Sequence, residues 1–330
     1  MVTAPAIGPE PAGAACKYPI VLEHGFMGSS YDDPAGKGSV WAFHRVKEAL
    51  ERDGHFVFPS SVEPFNSVAV RAQSLAKNIR AARDACRARA GCDASKVHLL
   101  AHSMGGLDAR EYIRLRKDDA ALASDPAVFS VTTISTPHRG SNIADFGVKA
   151  LDLLKASQPL NDTYQSTVNT LFSLFGWTFT DKDLAFRTNV RDALVDLSEA
   201  NSDAFNRAHP DDPSVRYATW VGVSGDADDE SECEWGRFGS YRGYRERRDW
   251  KSPLMTAAGL VTGSGDRPND GMATLKSAKW DESKFQGCIP ADHLDEVGQG
   301  KEAADRWTGF DHVRFYRNVA FGLSKLERGK

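Results

Sequence analysis

Residues 96–106, KVHLLAHSMGG, join a short apolar run to a serine flanked by small residues. The run is typical of a buried strand and the residues after Ser103 have helical spacing, so the stretch predicts strand, sharp turn and helix. Such a turn needs small residues two positions before and after the serine, because larger side chains would collide with neighbouring backbone. Ala101 and Gly105 meet this requirement. We therefore expect Ser103 to be a nucleophile on a strained turn.

Outward from this turn, apolar runs alternate with segments of helical spacing. Strands are expected at residues 17–23, 55–62, 96–101, 128–134 and 217–223, and helices at 39–52, 67–89, 104–115, 143–155 and 311–326. This alternation predicts an α/β protein, with a mainly parallel sheet covered by helices on both faces. Combined with the serine turn, it favours the α/β-hydrolase fold.

The alternation breaks over residues 141–206, where amphipathic helical segments and an apolar stretch at 168–179 take over. We interpret this region as a helical lid or cap inserted into a single domain spanning 17–330. Residues 1–16 are rich in Ala, Pro and Gly and lack the charged and apolar regions of a signal peptide. They are expected to form a disordered leader.

Composition excludes some classes of function. The 330 residues are 41% apolar and 26% charged, with a net charge of −4, so a nucleic-acid partner is disfavoured. No apolar run approaches the roughly 18 to 20 residues of a membrane span. Five cysteines would suit an extracytoplasmic enzyme with disulfides Cys86–Cys92 and Cys233–Cys288 and with Cys16 left over. Five unpaired thiols in a cytosolic protein remain the alternative.

A second motif, His24-Gly25-Phe26-Met27-Gly28, directly follows the first expected strand. A tetrahedral intermediate of acyl transfer needs two hydrogen-bond donors at its oxyanion. One donor is expected from the residue after the nucleophile, Met104, and the other from a loop after an early strand. The backbone N–H of Phe26 fits this second position.

A nucleophilic serine also needs a base and an acid that orients it, in the chain order serine, acid, histidine. Among nine histidines, His293 and His312 are the carboxy-terminal candidates, and His293 lies in a loop where a base can reach the serine. Asp270 lies in a turn, Asn269-Asp270-Gly271. Composition does not separate Asp270 from Asp266 or Asp292 as the acid.

The chain resembles the secreted bacterial true lipases of the Pseudomonas and Burkholderia type. The matching stretches are YPIVLEHG at 18–25, AHSMGG at 101–106, VTTISTPHRGS at 131–141, NDG at 269–271 and HLDEV at 293–297. They occur in order across residues 18–325. By position, the resemblance implies that Ser103 is the nucleophile, Asp270 the acid and His293 the base. Phe26 and Met104 would donate to the oxyanion.

The resemblance also implies a structural calcium ion beside the histidine loop, and no organic cofactor. Asp295 and Gln299 match the family's HLDE-x-x-Q stretch, Asp249 is expected as the second carboxylate, and Ala303 as a backbone carbonyl ligand. The family's cysteine after Asn-Asp-Gly is absent, and Lys276-Ser277 stand there instead. Residues 226–248 also differ from the family's usual apolar sequence.

The implied activity is carboxylic ester hydrolysis, with triacylglycerol lipase as first interpretation and an esterase or polyester hydrolase as alternative. An amidase or peptidase would share the triad, whereas a binding protein without catalysis would have lost one of its members. The expected substrate is a lipid or ester, in the first case at an oil–water interface, with residues 168–179 forming either core or an acyl groove under the lid. The resemblance further implies a secreted monomer and a folding helper.

Overall fold

Six parallel strands form the central sheet in the computed structural model, which describes residues 15–30, 40–157, 190–224, 258–259, 261–262, 268–299 and 308–329. They are β1 (Ile20–Glu23), β4 (Val57–Pro59), β5 (Lys96–His102), β6 (Ala127–Ile134), β7 (Arg216–Gly222) and β8 (Phe285–Ile289). Their order across the sheet is β4-β1-β5-β6-β7-β8. Two further short strands, β2 (Gly28–Ser30) and β3 (Val40–Ala42), pair in parallel beside it. The predicted α/β-hydrolase fold is confirmed.

Helices cover both faces of the sheet. They are α1 (Val46–Arg52), α2 (Val68–Arg87), α3 (Gly105–Asp118), α4 (Asn142–Ser157), α5 (Val190–Leu197), α6 (Glu199–Ala208), α7 (Leu275–Ala278) and α8 (His312–Glu327). Alternate strand residues face opposite ways. Ile20, Leu22 and Leu100 therefore pack with α1 and α8, whereas Val21 and Leu99 pack with α2 and α3.

Side-chain caps fix where four of these helices, α2, α6, α7 and α8, begin. Ser67 accepts a hydrogen bond from Val70 N–H at the start of α2, and Ser198 accepts one from Asn201 N–H at the start of α6. The Asp311 carboxylate caps α8 in the same way. Each cap satisfies a backbone donor that has no partner within its helix. The expected helices at 67–89, 104–115 and 311–326 agree with α2, α3 and α8 within a few residues.

The expected helix over residues 39–52 is wrong in its first half. Val40–Ala42 form strand β3, and the chain then turns through Phe43 and Arg45, whose φ angles are 61° and 57°. An α-helix cannot run through residues with positive φ, because its backbone requires negative φ angles. Strand β8 was not among the expected strands either, although its five residues include the buried Phe285 and Ile289.

Of the two expected disulfides, Cys86–Cys92 is present. Cys288 is also disulfide-bonded; its partner, like Cys233, lies outside the described residues. Cys288 is a buried residue of β8 and not part of a polar loop. Cys16 is a buried free thiol packed against Leu50 and Ala320, so it belongs to the folded domain and not to a leader. Residues 1–14 lie outside the described residues.

Hydrogen bonds of Glu327, here called the clasp, join the two ends of the domain at the end of the sheet opposite to Ser103. The Glu327 carboxylate accepts hydrogen bonds from Lys17 N–H at 2.8 Å and Tyr18 N–H at 3.1 Å. It also lies 2.8 Å from Nε2 of His98, a buried residue of β5. The end of α8 is thereby fixed to the chain just before β1.

Helices α4, α5 and α6 lie between β6 and β7 in the chain; α4 and α5 fall within the expected insertion at 141–206, and α6 ends two residues beyond it. They form a separate apolar cluster in which Ala144, Leu151, Leu194 and Phe205 pack with Met27. Residues 158–189, including the apolar stretch at 168–179, lie outside the described residues, so the lid stays a prediction. Among the described helices, none is both long and apolar enough to span a membrane.

Gly106 tests how tightly the turn at Ser103 is packed. A Cβ at Gly106 would lie 2.2 Å from Oγ1 of Thr136, which donates to the Ser103 carbonyl at 2.7 Å. We expect Gly106→Ala to lower the free energy of unfolding by about 1–3 kcal/mol through overpacking, measured by denaturant unfolding. The control is Gly322→Ala in α8, where no atom lies within 4 Å of the new methyl. Equal stability of the two variants would contradict the tight packing.

Candidate active site

Ser103 lies at the carboxyl end of β5, on the turn that leads into α3. Its φ angle is 55°, in the left-handed region that non-glycine residues seldom occupy. Ser103 N–H donates to Ile134 O at 2.9 Å, which continues the pairing of β5 with β6. The backbone is therefore held on both sides of a strained residue, as the sequence predicts for this turn.

His293 and Asp270 complete a chain of hydrogen bonds that starts at Ser103. Nε2 of His293 is 2.9 Å from Ser103 Oγ, and Nδ1 of His293 is 2.7 Å from Oδ2 of Asp270. All three residues are buried. The structure thus brings the three residues together in the geometry of a nucleophile, its base and an orienting acid.

Asp270 is held as a carboxylate by its surroundings. Burial alone would raise the pKa of Asp270, but the adjacent His293 and the N–H groups of Ala273 and Met272 outweigh it and hold this pKa below its ordinary value. Those N–H groups donate to Oδ1 at 2.7 and 2.8 Å, leaving Oδ2 for His293. An ionised Asp270 fixes the ring of His293 with Nε2 facing the serine.

The other two acid candidates and the second histidine lie elsewhere. Asp292 accepts hydrogen bonds from Leu294 and Asp295 N–H in its own turn. Asp266 lies outside the described residues. His312 is buried at the start of α8, with its Nε2 2.8 Å from His44 O.

The segment His24-Gly25-Phe26-Met27-Gly28, here called the oxyanion segment, lies directly against Ser103. A Cβ on Gly25 would lie 2.5 Å from the Cβ of Ser103, so only glycine permits this approach. His24 Nε2 accepts from Val62 N–H at 3.2 Å and Met27 N–H donates to Pro64 O at 2.8 Å. These bonds fix the backbone on both sides of Phe26.

Met104 follows Ser103 as the residue that precedes α3. No side chain caps this helix, and the N–H groups of Gly106 and Leu107 turn back to the carbonyls of Ser103 and Met104. The start of a helix favours negative charge through its N–H groups and its dipole. Both expected oxyanion donors, Phe26 and Met104, thus belong to backbone that contacts or adjoins Ser103.

Comparisons with known proteins find similar chains among the lipases. The chain is 30% identical over 286 residues to a triacylglycerol lipase of Pseudomonas fragi, covering 85% of this chain and 88% of the relative. The chain belongs to the triacylglycerol lipase family of the Pseudomonas and Burkholderia type. It is also 26% identical to triacylglycerol lipase 2 of Saccharomyces cerevisiae, covering 85% of this chain and 72% of the yeast protein. No protein-family model matches it.

Solved structures of other lipases share the fold of this lipase-family chain. Staphylococcus hyicus lipase superposes with a TM-score of 0.60 at 18% identity, covering 98% of this chain and 99% of the other. Lipase 1 from Pelosinus fermentans gives 0.57 at 20% identity, covering 94% and 99%. As a member of the lipase family, the chain is a serine carboxylic ester hydrolase.

Two buried groups beside the triad were missed by the sequence analysis. The ring of His102 is 4.5 Å from that of His293, and its Nε2 is 3.1 Å from Oε2 of Glu296. Glu296 also accepts from Oγ of Ser135 at 2.6 Å. Both residues lie within motifs quoted above: His102 precedes the nucleophile, and Glu296 is the last residue of the HLDE stretch. Their closeness to the catalytic residues in the sequence could have indicated that they lie beside the site.

The two groups have opposite pKa shifts. Burial, and then the neighbouring His293, lowers the pKa of His102 well below its ordinary value. Burial, and then the charge of Asp270, raises the pKa of Glu296 well above its ordinary value. Both shifts disfavour the charged form of the side chain, whereas the pKa of Asp270 is lowered, so Asp270 is the favoured carboxylate beside the His293 ring.

An apolar pocket opens in front of Ser103. It encloses about 1060 Å³ of empty space, part of it open to solvent. Its walls are the oxyanion segment and the inner sides of helices α4 and α5, including Ile143, Gly147, Leu151 and Leu194. Such a lining accommodates hydrocarbon next to the nucleophile.

Of the expected calcium ligands, the described residues include Asp295 and Gln299. They lie on one turn, in which Gly298 N–H donates to Asp295 O at 3.1 Å and Gln299 N–H to Leu294 O at 3.0 Å. Asp295 is buried, and Oε1 of Gln299 is a buried oxygen without a hydrogen-bond donor among the described residues. An oxygen in this state fits a cation ligand. Asp249 and Ala303 lie outside the described residues.

Replacing the acid tests the chain of hydrogen bonds. We expect Asp270→Asn to lower kcat by about 10⁴-fold, because an amide donor at this position favours the wrong tautomer of His293. The rate is measured on a soluble p-nitrophenyl ester. Asp292→Asn, in the loop that carries His293, is the matched control, with activity close to that of the unsubstituted enzyme. If Asp292→Asn lost more kcat than Asp270→Asn, this would indicate that Asp292, and not Asp270, is the acid.

Proposed function

We propose that the enzyme hydrolyses triacylglycerols through an acyl-enzyme formed at Ser103. The observation that carries this proposal is the apolar pocket beside the Ser103–His293–Asp270 chain of hydrogen bonds. A site for short polar esters would not need so much apolar wall. The names of the relatives point the same way, since the Pseudomonas fragi and yeast proteins are triacylglycerol lipases.

In the first half-reaction, Ser103 Oγ attacks the ester carbonyl while His293 Nε2 takes its proton. The carbonyl oxygen becomes an oxyanion that the N–H groups of Phe26 and Met104 stabilise. His293 then protonates the leaving glyceride oxygen as the tetrahedral intermediate collapses to the acyl-enzyme. In the second half-reaction water attacks the acyl-enzyme, again losing its proton to His293, and the fatty acid leaves with Ser103 reprotonated. Asp270 stabilises the imidazolium in both steps.

The test uses emulsions of tributyrin and trioleoylglycerol beside soluble p-nitrophenyl butyrate. We expect hydrolysis of both triglycerides, and Ser103→Ala to lower kcat by about a million-fold. Gly147→Leu extends a side chain towards Leu194 and into the pocket, so hydrolysis of trioleoylglycerol should fall about tenfold more than that of the butyrate.

Lys149→Leu is the control for the pocket variant, because it puts the same side chain at an exposed position of α4. It should leave the ratio of long-chain to short-chain activity unchanged. Activity confined to short soluble esters would contradict the lipase proposal and favour an esterase or polyester hydrolase.

We also propose a calcium ion at Asp295 and Gln299, supported by the buried, undonated Oε1 of Gln299. Bound there, the ion would stabilise the loop that carries His293. Residues Asp249 and Ala303 stay predicted ligands.

Calcium removal tests this site. With calcium at 100 times its Kd, binding would add about 2.7 kcal/mol to the free energy of unfolding. Chelation with EDTA should therefore lower Tm, and Asp295→Asn should have a low Tm that EDTA does not change. Asp118→Asn on the exposed surface should respond to EDTA like the unsubstituted enzyme. A protein that retains no calcium by elemental analysis and keeps its Tm in EDTA would contradict the site.

An extracytoplasmic location is part of the proposal. Its support is the pair of disulfide-bonded cysteines Cys86 and Cys92, together with Cys288, since disulfides persist in oxidising compartments. The monomeric state and the folding helper stay predictions.

A further inference from the structure

Glu23 is a buried carboxyl group placed between the oxyanion segment and the nucleophile helix. It is the last residue of β1 and immediately precedes His24. Its side chain is fully buried. A Cβ on Gly105 would lie 3.0 Å from its Cγ, so Glu23 packs directly against the start of α3.

Two charged residues surround Glu23 in this buried position. Asp108 on α3 and Arg71 on α2 are both fully buried and form an ion pair, with Nε of Arg71 2.9 Å from Oδ2 of Asp108. Nη2 of Arg71 donates to His24 O at 2.7 Å, and Nη1 donates to Glu63 O. Arg71 thus connects the Asp108 carboxylate to the backbone of the oxyanion segment.

The hydrogen bonding of the two carboxyl groups is incomplete without a proton. Both oxygens of Glu23 and Oδ1 of Asp108 are buried and make no hydrogen bond of standard geometry among the described residues, although the Ser60 hydroxyl faces Glu23 and lowers its pKa. The two side chains nevertheless lie near enough to each other to interact directly. Two ionised carboxylates in contact repel each other, whereas a protonated carboxyl group donates to its neighbour.

We propose that Glu23 and Asp108 share one proton and that this pair, together with Arg71, positions the oxyanion segment. The pair and Arg71 then carry one negative and one positive charge, as burial requires. Glu23 is the protonated partner and Asp108 the ionised one, because Asp108 is the residue that Arg71 contacts.

The charged groups around the pair agree with this assignment. Burial, and then the charge of Asp108, raises the pKa of Glu23 well above its usual range, against the lowering effect of Arg71. Burial raises the pKa of Asp108 to about 6 against the lowering effect of Arg71, and the negative charge of Asp196 on α5 adds to the rise. His24 is held through Val62 N–H, and Glu63 faces Arg71 with its backbone carbonyl.

Loss of the shared proton at alkaline pH would put two carboxylates against one guanidinium. The repulsion acts on Glu23, three residues before Phe26, and so shifts the expected oxyanion donor. Displacement of a catalytic group by about 1 Å can cost 10²-fold in rate. Because an oxyanion exists only in the transition state, the loss should affect kcat and leave KM nearly unchanged. This functional consequence rests on the proposed ester hydrolysis.

Glu23→Gln tests the proposal, because the amide donates to Asp108 in place of the shared proton but does not titrate. On p-nitrophenyl butyrate we expect kcat within about twofold of the unsubstituted enzyme at neutral pH. The unsubstituted enzyme should lose kcat at alkaline pH with little change in KM. The variant should lack this loss.

Thermal stability gives a second readout that does not depend on catalysis. The pKa of Glu23 is raised in the folded protein, so above about pH 5 the unfolded chain ionises and binds fewer protons than the folded one. Stability of the unsubstituted enzyme then falls with rising pH until the folded pKa is passed. The Tm difference in favour of Glu23→Gln should therefore increase with pH over this interval.

Asp125→Asn is the matched control. Asp125 is a buried carboxylate paired at 2.7 Å with Arg80, another arginine of α2, and forms no bond to the oxyanion segment. It should lower Tm by an amount that does not grow between about pH 6 and pH 10, and it should keep the alkaline loss of kcat.

A Tm difference for Glu23→Gln that is constant over this range would overturn the shared proton. A growing difference with an unchanged kcat profile would overturn the positioning role. If the enzyme hydrolysed no ester at any pH, the proposed function would fail, while the Tm comparison would still decide whether the proton is shared.

Discussion

The left-handed backbone conformation of Ser103 is the constraint around which the catalytic side of the molecule is built. Strand β5 delivers the serine to the end of the sheet, where its N–H bonds to β6 and its carbonyl accepts from Thr136. The turn then reverses the chain so sharply that Gly25 and Gly106 must be glycines to leave room for Ser103 and Thr136. Small residues at fixed positions are thus required for the turn to present the Ser103 hydroxyl group to the pocket.

Parallel strand order brings the remaining groups to the same edge. The oxyanion segment follows β1, Asp270 follows β7 and His293 follows β8, and all lie at the carboxyl ends of their strands. Because the loops that follow β5 and β8 meet at this common end of the sheet, residues Ser103 and His293, 190 positions apart in the sequence, are in contact at 2.9 Å. Burial disfavours the charged forms of His102 and Glu296, which lie beside the His293 ring.

The parts of the site that sequence alone could predict are those with local steric requirements. The serine turn and the glycine turn after β1 impose small residues at fixed spacing, so their patterns are visible. Asp270 was not separable from Asp266 or Asp292 by composition, because only the meeting of two distant loops distinguishes them. Glu23, Asp108 and Arg71 were not found for the same reason, since three elements far apart in the chain bring them together.

The fold was predictable where burial of one face makes apolar residues recur at a regular spacing along the sequence. Strands β5 and β6 and helices α2 and α8 have long, regular apolar patterns. The short strand β3 was not predicted, because three residues are too few to show an apolar period. The positive φ of Phe43 and Arg45, which separates β3 from α1, cannot be recognised from these residue types. The short, buried strand β8 likewise follows a stretch without periodicity.

The clasp of Glu327 to Lys17 and Tyr18 has a practical consequence for handling the enzyme. Tyr18 precedes β1, so the clasp lies at the amino ends of the strands, whereas Ser103 lies at their carboxyl ends. Coupling the protein to a solid support through a residue next to the clasp, such as the exposed amine of Lys325, would therefore direct the pocket away from the support. Immobilised in this orientation, the pocket would face the bulk phase from which an insoluble substrate droplet arrives.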